Sequence, residues 1–239
     1  MLRKSFVILV GLLMVALLAA CAPQVVTPSD QPIRQMSVSG QGEVYLTPDI
    51  AYVNIGVHSQ AANVADALRQ NNAQSQAVAR ALKEMGVDEK DIQTSAFNVF
   101  PQQMYGPNGE MTGTEYVVDN VVFVTVRDLS KLGELLDAVV RSGANTINSV
   151  SFDVTDKSAA ISQARKQAID KAKATAQEIA DAAGIKLGNI ISLNTYVQEP
   201  TPAYLEGKGG AMMPAAPDVP MAAGQLILRV NADISYEIK

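Results

Sequence analysis

The chain has 239 residues, with 24 acidic against 19 basic side chains and a formal charge of −5 at pH 7. That balance argues against nucleic acid or anionic lipid as a partner, because both are bound through clustered Lys and Arg. One cysteine and one histidine leave no material for a disulfide, a cysteine–histidine catalytic pair or a zinc cluster. No cofactor is therefore expected, and the folded part relies on core packing.

Arg3 and Lys4 precede fifteen uncharged, mostly apolar residues, Phe6 to Ala20. As a helix this run spans roughly 22 Å, short of the roughly 30 Å hydrocarbon core of a bilayer. A basic start, an apolar middle and the small residues Ala19 and Ala20 describe a secretory leader instead. Leu18-Ala19-Ala20-Cys21 resembles the bacterial lipoprotein box, in which the thiol is joined to diacylglycerol and the cysteine becomes residue one of the mature chain. Residues 1–20 then form the removed signal peptide, and Cys21 is the lipidation site. Two or three acyl chains give a lasting anchor where one would not. Without Arg3 and Lys4 the mature chain carries 17 basic against 24 acidic side chains, a formal charge of −7. "APQVVTPSDQPIRQ" has three prolines and no apolar period, so residues 21–35 read as lipid anchor and linker, and residues 36–239 as the folded domain.

Within that domain, "MSVSGQGEVYL" places Met36, Val38, Val44 and Leu46 on one face, with Gly40 and Gly42 between them. "AYVNIGVHS" does the same with Ala51, Val53, Ile55 and Val57. Thr47-Pro48-Asp49 between them predicts a turn and an antiparallel hairpin. From Ala61 to Met85 the spacing becomes helical, with Val64, Leu68, Val78, Leu82 and Met85 on a stripe that Gly86 ends. Asn71 and Ser75 interrupt the stripe, which predicts shallow burial there. Ile92 to Pro101 and Tyr116 to Val126 read as strands, the second apolar on both faces and hence central.

A helix follows over about Leu129 to Ser142, then a strand carrying Val150, Phe152 and Val154. The next helix, Ser158 to Ala183, aligns Ala164, Ala168, Ala172 and Ala176, small enough to lie close against a sheet. Strands at Ile190 and at Leu226 to Ile238 complete the chain, and the last alternates strictly, as a long edge open to pairing would. Gly86-Val87 and Ile92 recur as Gly184-Ile185 and Ile190 at an offset of 98. The pattern predicts an α+β fold: a two-layer sandwich of mainly antiparallel sheet with helices on one side. It is built from two β-α-β-β repeats plus a leading strand and a connecting helix.

Little in the sequence points to catalysis. His58 lies on the face opposite Val53, Ile55 and Val57, where a lone exposed histidine is polar surface. Gly40-Gln41-Gly42 lacks the third glycine and the helix of a dinucleotide fingerprint and marks a bulge or close packing. Asp49 belongs to the turn, and no spacing singles out a carboxylate pair. Two long segments at equivalent repeat positions stand out. "QQMYGPNGEMTG" carries Met104, Tyr105 and Met111, and the segment after Glu199 carries Tyr204, Met212, Met213 and Met221. Read as loops, they expose five methionines as candidate oxidisable or contact residues.

"SVSGQGEVYLTPDIAYVNIGV", "GVDEKDIQTSAFNVFPQ", "VRDLSKLGELLDAVVRSGAN" and "AIDKAKATAQEIADAAGIKLG" resemble, in order, the signature blocks of the SIMPL domain (DUF541) family. The resemblance runs from about Met36 to Lys239. It implies an exported envelope protein with no agreed enzymatic activity, loosely linked to envelope integrity and stress tolerance and with a tendency to oligomerise. Together with the lipobox it implies a lipid-anchored protein on the periplasmic or extracellular face of a membrane. Such a protein acts by binding or homo-oligomeric assembly and is not an enzyme. The competing expectation is an envelope hydrolase with a site of acidic residues and loop serines, which would show a concave pocket lined by titrating groups.

Overall fold

The computed structural model describes residues 34–203 and 222–239. Cys21, most of the linker, Tyr204, Met212, Met213 and Met221 lie outside the described residues. Strands β1 (Gln35–Leu46), β2 (Ile50–Ala61), β3 (Ile92–Tyr105), β4 (Met111–Val126), β5 (Thr146–Asp153), β6 (Leu187–Val197), β7 (Thr201–Pro202) and β8 (Leu226–Ile238) form two antiparallel sheets. The first has the order β3-β4-β2-β5 and the second β1-β8-β6, with β7 beside the start of β8. Helices α1 (Val64–Glu84) and α2 (Leu132–Arg141) serve the first sheet, and α3 (Ser158–Ala183) serves the second. The α+β class and its antiparallel, helix-covered sheets are as the periodicity predicts.

Two different kinds of core hold these layers. Against the first sheet, large side chains meet: Val53, Ile55 and Val124 from the strands pack on Leu82, Leu135 and Val139 from the helices. Against the second, α3 presents a buried file of six alanines from Ala160 to Ala180, one every four residues. They meet Leu228, Val230, Ala232 and Ile234 of β8. The file lets the helix backbone come down onto β1 at its two glycines. A Cβ on Gly42 would sit 2.8 Å from the Ala164 carbonyl carbon and 2.9 Å from the Ala168 nitrogen, closer than real Cβ atoms come to anything. Close packing, and not a bulge, is the role of Gly40-Gln41-Gly42.

This division explains why the anticipated β1–β2 hairpin does not form. β1 pairs with β8 over its whole length, from Gln35↔Glu237 to Leu46↔Leu226, while β2 pairs with β4 and β5. A glycine-bearing face fits only the alanine helix, and the Val-Ile face of β2 fits only the large side chains of α1 and α2. The connection between them is tied elsewhere: Asp49 Oδ1 accepts from the Thr155 backbone N–H at 2.8 Å, and Asp49 N donates to Asp153 O at 3.0 Å. Asp49 thus fastens the β1–β2 crossover to the β5–α3 crossover. β5 likewise joins the edge of the first sheet and not the second repeat's own sheet, so the halves exchange strands: β1 completes the later unit and β5 extends the earlier one. β8 is consequently central, with β1 on one side and β6 on the other, and is not an open edge.

The repeat itself is visible in the helix ends. Val87 N donates to Leu82 O and Gly86 N to Lys83 O, and the same pair of bonds recurs 98 residues on, from Ile185 to Ala180 and from Gly184 to Asp181. Both are Schellman closures with a left-handed glycine, and α2 ends in the same way, Ala144 N donating to Val139 O and Gly143 N to Val140 O, so the closure is common to all three helices. In α1 one expectation fails: Asn71 is fully buried. Its amide donates to Val57 O at 2.8 Å and Val118 O at 3.1 Å and accepts from Ser75 Oγ, which in turn accepts from Asn120. A polar residue on the apolar stripe is deeply buried because it has partners for its donors there. The segment "QQMYGPNGEMTG" is a strand ribbon and not a loop: β3 and β4 run on to Tyr105↔Met111 and turn only over residues 106–110.

Candidate functional site

Three regions hold chemistry outside the cores. The first surrounds His58, which is exposed on the outer face of the first sheet, as its strand parity requires. Its Nδ1 lies 2.7 Å from Asp119 Oδ1 on the neighbouring strand. Its backbone is clamped by Asn145, whose Oδ1 accepts from His58 N at 2.7 Å and whose Nδ2 donates to His58 O at 2.6 Å. Sequence reading reached His58 but missed both partners. The available signal was the Asp119-Asn120 break in the otherwise apolar "YVVDNVVFVTV".

The second region is a cavity of about 260 Å³ beside the end of α1, lined by Asp88, Asp91, Arg127, Asp128 and Lys131 among others. Asp91 is buried there and receives two bonds from Arg127, Nε to Oδ2 at 2.8 Å and an Nη to Oδ1 at 2.7 Å. Hydrogen bonding to that guanidinium holds the Asp91 carboxyl below the usual aspartate range, against the opposing effect of burial. A depressed folded-state value stabilises the fold above the ordinary 3.8, and that contribution is lost as pH falls through the folded value. The pocket expected of a hydrolase thus exists, but its buried acid is ionised and bonded twice to one arginine.

The third region is apolar. β3 and β6 are edge strands: Ile92 at the start of β3 packs under α1 and Leu187 at the start of β6 under α3, while the strands beyond them carry exposed apolar side chains. Phe97, Val99 and Phe100 on β3 and Ile190, Leu193, Tyr196 and Val197 on β6 are roughly half exposed. Along the ribbon beyond the reach of β2, Tyr105 is 62% and Met111 59% exposed, with Met104 beside them. Met104 and Met111 stand on strands and not in the loop expected, both with exposed side chains. Among the described residues no group of three or more His, Cys, Asp or Glu could hold a metal ion.

A model of the SIMPL family, described as a protein of unknown function (DUF541), matches residues 36–236. The chain belongs to the SIMPL family. Its SIMPL relatives include the 26 kDa periplasmic immunogenic protein of Brucella melitensis, 35% identical over 216 residues, which cover 87% of this chain and 86% of that one. The uncharacterized protein YggE of Escherichia coli K12 is 34% identical over 165 residues, 69% of this chain and 67% of its own. A crystal structure of an unknown protein from Galdieria sulphuraria aligns over 79% of this chain and 83% of that one, at 12% identity and a TM-score of 0.20, too low a score to bear on the fold.

Proposed function

We propose that this SIMPL chain is a cell-envelope protein, held through lipid on Cys21 to a membrane outside the cytoplasm, that acts in envelope integrity or stress tolerance by binding or homo-oligomeric assembly. The apolar edges β3 and β6 carry this reading. The exposed parts of the ten side chains named above and of Ile191 amount together to roughly 1,000 Å² over the two edges, on the order of what a specific interface requires. Because the two edges belong to related units, β3 of one copy against β6 of the next is a head-to-tail contact, which closes into a ring or runs on. The periplasmic name of the Brucella relative and the leader, with its cysteine, support the location. The acidic cavity at Asp91 favours a hydrolase less, since Arg127 occupies both oxygens of the acid that would do the chemistry.

Two measurements test this reading. Light scattering on the full chain in mild detergent should give a multimer across micromolar concentrations. Val99→Lys with Leu193→Lys should give a monomer of unchanged melting temperature, since both side chains are already half exposed. A monomeric wild type removes the assembly reading. For the anchor, radioactive palmitate should label the wild type and leave Cys21→Ser unlabelled, and equal label on both would sink it.

A further inference from the structure

We propose that the outer face of the first sheet, at Gly56, is a binding site for an uncharged sugar ring. Gly56 lies in the middle of β2, between Val121 of β4 and Thr146 of β5. A Cβ there would lie 3.4 Å from Val121 Cγ2 and 3.2 Å from Thr146 Cβ, so these two side chains close in over the glycine, and above them lies a hollow of about 260 Å³. That is just under the roughly 300–1,000 Å³ of ordinary small-molecule pockets, which limits the occupant to about one ring. Asn98 and Asp119 form one wall, and Thr146 and Asn148 the other.

Two backbone irregularities bring these walls together. On β5 the register passes from Val53↔Val150 to Asn54↔Asn148, skipping Ser149, which has φ +52. Without that bulge Asn148 would stand opposite Ile55 and face the core, and Ile147 would stand beside Gly56. On β3 the register passes from Thr94↔Val122 to Ala96↔Val121, skipping Ser95. Without that second bulge Asn98 would oppose Val118 on the core face instead of Asp119 on the outer one. Each edge strand therefore departs from regular pairing in the way that turns an asparagine toward the same hollow. Bulges are features that re-aim side chains beside functional sites, and a non-glycine residue at positive φ persists only where its surroundings enforce it.

The lining selects the ligand class. Two carboxamides, a hydroxyl and a carboxylate supply donors and acceptors side by side, the arrangement that bridges neighbouring hydroxyls of a sugar. Val121 offers an apolar floor to the C–H face of a ring, with Gly56 buried beneath it between Val121 and Thr146. Among the described residues no Lys or Arg lines the hollow and its one acid, Asp119, adds negative charge, which disfavours a phosphate, sulfate or carboxylate. Asn145, clamping the His58 backbone, and Asn54, donating to Ser149 at 3.2 Å, hold the rim before any ligand arrives. Preorganisation of that kind lowers the ordering cost of binding.

The test is titration of the full chain in detergent with cellobiose and with N,N′-diacetylchitobiose, read by calorimetry, alongside retention on insoluble chitin. Saturable binding of at least one disaccharide in the millimolar range is expected. Asn98→Ala and Asn148→Ala should each weaken it about fivefold or more with little change in melting temperature, and Gly56→Ala, whose methyl must push Val121 and Thr146 aside, should weaken it at least as much. Retention on chitin without binding of the free disaccharides, lost in the same variants, would identify a polymer as the source of the ring. Absence of binding to all three probes at about 50 mM sugar, or binding untouched by the three substitutions, overturns the proposal.

Discussion

Gly42→Ala is expected to destabilise the protein by more than about 3 kcal/mol, an unusually large effect for one added methyl group. The new carbon would fall within 3 Å of the Ala164 carbonyl and the Ala168 nitrogen, and all of these are backbone atoms of α3. No rotamer change relieves such a contact, so either α3 lifts off the sheet or β1 leaves it. Lifting the helix exposes the alanine file and the Leu228, Val230 and Ala232 face beneath it. For a chain of this size the melting temperature should fall by roughly 6–12 °C. Thermal melting and urea unfolding measure it. Ala164→Gly in the same chain should not restore stability, because the obstructing atoms are not its side chain. A loss under about 1 kcal/mol would mean that the helix does not rest on β1 as described.

Asn71→Leu is the second large effect, and here two readings of the same residue predict opposite signs. Judged by the helical stripe alone, leucine at position 71 fills a gap among Leu68, Ser75 and Val78 and should stabilise. In the folded protein it removes the donors to Val57 O and Val118 O and the acceptor for Ser75. Each buried group left unpaired costs about 1–3 kcal/mol, so a net loss of about 2–4 kcal/mol is expected after some gain from the added apolar area. Ser75→Ala, which breaks the chain one step further out, should cost about 1 kcal/mol. Urea unfolding of the two variants decides between the readings by sign.

What could be read ahead of the structure is what local pattern encodes. The alanine file, the glycine pair opposite it and the glycine helix stops at Gly86 and Gly184 each impose a local geometry that survives in any tertiary setting. The 98-residue offset came through for the same reason, since a Schellman closure is made within six residues. Pairing between strands is a different kind of information. Thr47-Pro48-Asp49 is a turn by composition, yet whether the strands it joins pair depends on which helix each can accommodate. The hollow at Gly56 was illegible because its walls depend on skipped residues, Ser95 and Ser149, that carry no turn residue to mark them. Asn71 was misjudged because its partners are carbonyls of strands 14 and 47 residues away.

The exchange of β1 into the later sheet also sets a clock. Ser37 meets Ser235 across 198 residues, and both β1 and β6 have β8 as their ladder partner. Until Leu226 to Ile238 is available, the described strands of the second sheet have no pairing partner, and α3 lacks the Leu228, Val230, Ala232 and Ile234 face of its core. Contacts of such long separation form slowly, because the loop between them must be closed before they give anything back. A chain threaded through a membrane N-terminus first thus keeps its leading strand unpaired until its last residues arrive. The first sheet is spared this wait, since all four of its strands have arrived by Asp153.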